Sequence, residues 1–221
     1  MRFIIHEQPY ERPLLAGRLR YERDGAPTGA VESWRLTDAV DGYRFLRVDL
    51  DARDAPSGRS SLYHVTINPD GRPEQVKFRF MGDGHEVSGT AVWDKGEIVA
   101  ARQVAGASYE DVVCEGAFWF PAGSGLALLA GDAGKTRGVT HGVDTSNPAQ
   151  LMALVETSVT IEWGESAMEP VADESLTVRP LTVAWDDQRR VVWLDSLNRP
   201  LRLWRGDGLT AVAERLVRYR R

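Results

Sequence analysis

Cysteine is almost absent: Cys114 stands alone among 221 residues, so no disulfide can close within the chain. A lone thiol suits a reducing compartment. Set on a strand without a nearby His or basic neighbour, it reads as a small core residue rather than a nucleophile. Long apolar runs are missing too. No stretch approaches the ~20 residues a membrane helix needs. The opening Met1-Arg2-Phe3-Ile4-Ile5-His6-Glu7 has too short an apolar run for a signal peptide and meets an acid at once. Together these absences lead to the expectation of a cytoplasmic protein with no membrane span. Positive charge is not in excess either. The net charge is −5, with acids and bases interspersed, which argues against a dedicated nucleic-acid binder. The basic end, Arg215, Arg218, Arg220 and Arg221, reads as a solvated strand terminus.

Complete catalytic motifs are also lacking. Gly131-Asp132-Ala133-Gly134-Lys135-Thr136 has the tail of a phosphate-binding loop, but Leu129 occupies the place of the required first glycine. Ala122-Gly123-Ser124-Gly125 fails the hydrolase elbow, because Ala122 and Leu126 stand two residues either side of the serine. The four His, at 6, 64, 85 and 141, form no closely spaced ligand pair. His85-Glu86 and His141 with Asp144 would need folding to gather them, and scattered surface His is the simpler reading. His64 falls on the polar face of its strand, in keeping with that. The carboxylate pairs Asp49/Asp51 and Asp186/Asp187 fit a solvated strand face and a turn as well as a glycosidase cleft. No catalytic residue, metal site or cofactor emerges.

Turns, by contrast, are abundant. Five Asp-Gly pairs occur, at Asp24-Gly25, Asp41-Gly42, Asp70-Gly71, Asp83-Gly84 and Asp207-Gly208, with Lys95-Gly96 in a similar role. Such pairs tolerate the positive φ of two-residue hairpin turns. Between them run alternating segments. Val76, Phe78 and Phe80 oppose Gln75, Lys77 and Arg79; Tyr63, Val65 and Ile67 oppose His64 and Thr66; Leu46, Val48 and Leu50 oppose Arg47, Asp49 and Asp51. Val159, Ile161 and Trp163 continue the style in the second half, followed by a tight meander to Tyr219. The pattern predicts a mainly β chain of about eleven or twelve antiparallel strands. With no linker and no foreign composition, residues 1–221 read as a single β domain.

Residues 116–150 break the rhythm. Phe118-Trp119-Phe120 puts three aromatics in a row, which no half-exposed strand accommodates, and Ser124 to Ala130 predicts a short helix. A second helix start is suggested at Asn147-Pro148. A sheet this long curls, splits into two layers or closes, so a half-barrel or barrel around one or two short helices is expected, and its concave face needs a filling. The filler is this irregular segment acting as a plug, or an apolar guest of the kind that barrel-like folds hold. The seven Trp are read mostly as packing residues, with Trp119 standing apart because it lies in the irregular segment. Phe118, Trp119, Phe120, Leu126 and Leu129 are the candidate ligand-binding residues.

Val192-Trp193-Leu194-Asp195-Ser196-Leu197-Asn198-Arg199-Pro200-Leu201-Arg202-Leu203 resembles a hairpin of bacterial half-barrel proteins. Gly42-Tyr43-Arg44-Phe45 and Asn68-Pro69-Asp70-Gly71-Arg72-Pro73 sit where such proteins have comparable turns. The layout is similar to that of LolA/LolB-type lipoprotein carriers and a putative glycolipid-binding family. The resemblance implies a long antiparallel sheet curled around one or two short helices, holding a hydrophobic or amphiphilic ligand in its concave face. It carries over no functional residues. The lipoprotein carriers are periplasmic and made with a signal peptide, a departure from the present sequence.

The first expectation is therefore a non-enzymatic binding protein for a lipid-like ligand, plugged or gated by residues 117–130. The second is a plugged β scaffold or homodimer without a small ligand. The third is an enzyme assembled from distant groups such as His64, His85 and His141.

Overall fold

A computed structural model describes residues 2–142, 146–171 and 174–219; Asp144, Arg220 and Arg221 lie outside the described residues. The first half is a continuous meander: β1 (Arg12–Arg23), β2 (Ala26–Asp38), β3 (Arg44–Asp51), β4 (Ser60–Ile67), β5 (Pro73–Gly82), β6 (His85–Asp94), β7 (Glu97–Val104) and β8 (Ala107–Cys114). Then come β9 (Ala117–Trp119), the helix α1 (Gly123–Ala127) with a 3-10 turn over Leu128–Gly131, and β10 (Arg137–His141). The chain closes with β11 (Leu154–Trp163), β12 (Ala167–Val171), β13 (Glu174–Trp185), β14 (Gln188–Asp195), β15 (Pro200–Arg205) and β16 (Leu209–Arg218).

These sixteen strands form one curled, unclosed sheet, in the order β8 down to β1, then β16, β15, β14, β13, β11, β10 and β9, with β12 beside β13. The mainly β, curled architecture is as expected, in the unclosed form of the half-barrel or barrel, with more strands than the alternation revealed. Three of the additional ones are short: β9, β10 and β12 have three, five and five residues, too few to display a period. β9 and β10 also run parallel, Val139 facing Phe118, an exception to the antiparallel rule.

The turns follow their chemistry. At Asp24-Gly25, Asp83-Gly84 and Lys95-Gly96 both residues have positive φ and a two-residue loop joins consecutive strands, as in the type I′ turn. Ala105-Gly106 makes an equivalent turn, although Ala gives no hint of it. At Asp70-Gly71 and Asp207-Gly208 only the glycine is left-handed. Asn147-Pro148 begins a turn and no helix; the Asn147 side chain accepts from the Ala149 amide at 3.1 Å.

The concave face holds two packed clusters. One gathers Trp34, Val48, Tyr63, Phe78, Phe118 and Phe120; the other gathers Leu19, Trp119, Leu126, Leu129, Ile161 and Val183. β9 feeds both, because successive side chains on a strand point to opposite sides and each side of β9 meets apolar wall. A strand buried on both faces explains the unbroken Phe118-Trp119-Phe120 run. The convex face is covered in part by residues 2–11. Arg2 donates its amide to Asp49 at 2.5 Å, Glu7 pairs with Arg35, and the Ile5 carbonyl accepts from Arg47 at 2.9 Å.

Candidate functional site

The five residues singled out by the sequence are core. Phe118, Trp119, Phe120, Leu126 and Leu129 are all buried. Phe120 stacks on Tyr63 with ring centroids 3.9 Å apart, and Trp119 meets Trp185 edge-on at 5.1 Å. A Cβ at Gly138, on the neighbouring strand, would lie 2.5 Å from the Trp119 ring, so the bare backbone there is what admits the indole. The structure divides the five between the two clusters, Phe118 and Phe120 in one and Trp119, Leu126 and Leu129 in the other, as the filling of the curl and not as the wall of an opening.

α1 is fixed by a buried carboxylate. Its N-cap is Ala122, which has no side chain able to cap. Glu32 of β2 supplies the missing acceptor from across the interior. It takes the Gly123 and Ser124 amides, each at 2.8 Å, the Ser124 hydroxyl at 2.6 Å and the Tyr21 hydroxyl at 2.7 Å. Four donors on one carboxylate replace the water lost on burial, and the free amides of a helix start suit a negative charge. Burial, reinforced by that carboxylate, holds the Tyr21 phenol well above its ordinary pKa.

Several polar residues expected at the surface are buried. His64 does lie on the face opposite Tyr63, but the strap of residues 2–11 and its neighbours leave it 6% exposed. Beside it Arg47 and Glu11 form a fully buried pair at 2.7 Å, with Thr37 donating to Glu11 at 2.6 Å. Asp49 is likewise buried and bonded by Arg2. His141 is 3% exposed inside the curl, against Tyr63, Phe78 and Phe118. Neither ring nitrogen of either His has a hydrogen-bond partner among the described residues. Burial lowers the pKa of His64 to about 4 and of His141 to about 3. Alternation gave the correct face for His64; what it could not give is the chain laid over that face. Cys114 reverses the expectation in the other direction, being exposed on β8.

His64 on the convex side, His85 at a turn and His141 inside the curl are not brought together. No group of three or more His, Cys, Asp or Glu side chains suited to a metal ion occurs among the described residues. Among these residues, too, no helix is long and apolar enough to cross a membrane.

The opening lies elsewhere. β15 pairs with β16 only through Arg202–Trp204 and Thr210–Val212, whereas β1 follows β16 out to Arg218. Beyond the short strand, β16 thus has a ladder on one side only. A groove of about 790 Å³ opens at this end of the sheet, lined by Leu14, Leu15, Leu36, Arg44, Arg218 and Tyr219, with Leu197 of the β14–β15 turn. Leu15 and Leu36 pack against the interior cluster, so the groove is continuous with the concave face. Its register follows from the pairing of Leu15 with both Leu36 and Arg218. The sequence offered one signal for it, the adjacent Leu14-Leu15, which breaks alternation at an irregularity in the β1–β2 ladder. No family model, curated protein or solved structure matches this chain.

Proposed function

We propose that this protein is a non-enzymatic binder of a hydrophobic or amphiphilic, lipid-like ligand, held in the groove at the open end of the concave face. The observation that carries the reading is an apolar opening of about 790 Å³, a size typical of small-molecule sites, joined to an interior that is otherwise filled. Leu14, Leu15 and Leu36 supply the apolar wall. Covering them gains about 25 cal/mol per Å² removed from water. The 117–130 segment stays packed in the interior behind the groove and does not leave on binding.

The test is native mass spectrometry of the purified protein before and after incubation with a lipid extract, with organic extraction of whatever is released. An added mass that extracts as an amphiphile, and that is lost in Leu36→Arg, supports the reading. A clean unliganded mass under both conditions rejects it. Rejection favours the second reading, a plugged β scaffold, for which the dense packing around Trp119 is the supporting observation.

A further inference from the structure

We infer that the ligand of this groove carries an anionic headgroup on an apolar chain, and that Arg44 and Arg218 receive that headgroup. The inference rests on the groove being the binding site. Two guanidinium groups line an otherwise leucine-rich opening. Arg218 faces Leu15 across the β1–β16 ladder, on the face that looks into the curl. Arg44 begins β3 on the same face as Leu46, which belongs to the interior cluster.

Other arginines that reach a buried or half-buried place here have a carboxylate at hand, as Arg47 has Glu11, Arg102 has Asp111 and Arg199 has Asp195, whereas of the two in the groove Arg44 is half-buried and Arg218 exposed at its mouth. Arg44 and Arg218 make no ion pair or side-chain hydrogen bond with any described residue. Asp38, the cross-strand neighbour of Arg44, lines a separate, smaller depression with Tyr10, Arg12 and Val40. The groove therefore joins an apolar wall to positive charge that no described residue neutralises. A neutral apolar guest would leave that charge unanswered, whereas an acid headgroup completes it through charge-assisted hydrogen bonds. The guanidinium fork suits carboxylate and phosphate alike.

The experiment measures binding of dodecanoate, dodecyl phosphate and dodecanol to the full chain and to Arg44→Gln and Arg218→Gln. The three probes share a chain and differ in the headgroup. Both anions, or whichever of them matches the native headgroup, are expected to bind at least about tenfold more tightly than the alcohol. Each Gln variant should lose about tenfold for the anion and keep its affinity for dodecanol. The ratio of carboxylate to phosphate affinity identifies the headgroup class. Equal affinity for all three probes in the unaltered protein, or Gln variants that hold the anions as tightly, overturns the headgroup assignment while the groove reading stands. Failure of every probe to bind overturns both. Displacement by acetate or inorganic phosphate at the same concentration as the chain-bearing anions also overturns it, because the site would then be a simple anion site.

Discussion

Trp119 has the largest side chain among the fully buried residues, and its fate separates a plug from a ligand contact. If the indole is core, Trp119→Ala removes its contacts with Trp185 and Gly138 and leaves a cavity, at a cost of about 3–5 kcal/mol. Urea unfolding of the variant should show that loss. The sequence marked Trp119 because three aromatics in a row fit no half-exposed strand. What it could not show was a strand walled on both sides, since the two walls come from distant segments. His141 teaches the same point at another residue. Its folded-state pKa lies near 3, below the ordinary value near 6.5, so the neutral ring is what the fold favours. Its contribution is present above about pH 6.5. As pH falls towards 3 the unfolded chain takes up the proton first, and stability drops by about 1.4 kcal/mol per pH unit for this group. His64 adds a similar loss down to about pH 4. His141→Phe should therefore flatten the fall of thermal midpoint between pH 6 and pH 4 without abolishing it, because His64 remains.

Among the elements, α1 is the one whose existence depends most on a distant residue. Its five residues are too few to hold a helix on propensity, and its N-cap is an alanine. Glu32→Gln removes the charge that four donors converge on, and should cost about 2–4 kcal/mol in chemical denaturation. Ser124→Ala, which removes one of those donors, should cost about 1 kcal/mol. A Glu32→Gln loss no larger than that of Ser124→Ala would mean that the carboxylate is not the anchor. The helix was legible from the small, Leu/Ala-rich run after Phe120, and the structure begins it one residue earlier. Its anchor was not legible, because Glu32 sits 92 positions from Ser124 and looks like one more strand carboxylate. The long hairpins were legible for the opposite reason: turn chemistry and alternation are local. β10 and β12 were not, since five residues carry too little alternation to count.

For the whole molecule, the decisive contact is the pairing of β1 with β16, which joins the two meanders and builds one wall of the groove. Nothing local in either strand announces it, and so the proposed site lies at the strand ends, away from the aromatic segment that the sequence singled out. Curling was expected from strand number and twist, and the unclosed sheet agrees. Side chains bridge its β8 edge to β11: Glu156 of β11 accepts from the Cys114 amide at 2.5 Å, and Asp111 of β8 accepts from the Leu154 amide at 3.3 Å. Such capping blunts an exposed strand edge. On the proposed function, ligand enters the groove while the plug stays fixed. Hydrogen–deuterium exchange with and without a saturating amphiphile tests this most directly. The expected result is new protection confined to residues 14–15, 36–44 and 213–219, with residues 117–130 slow and unchanged. Altered exchange across 117–130, with none at the strand ends, would contradict the account and make the aromatic segment a gate.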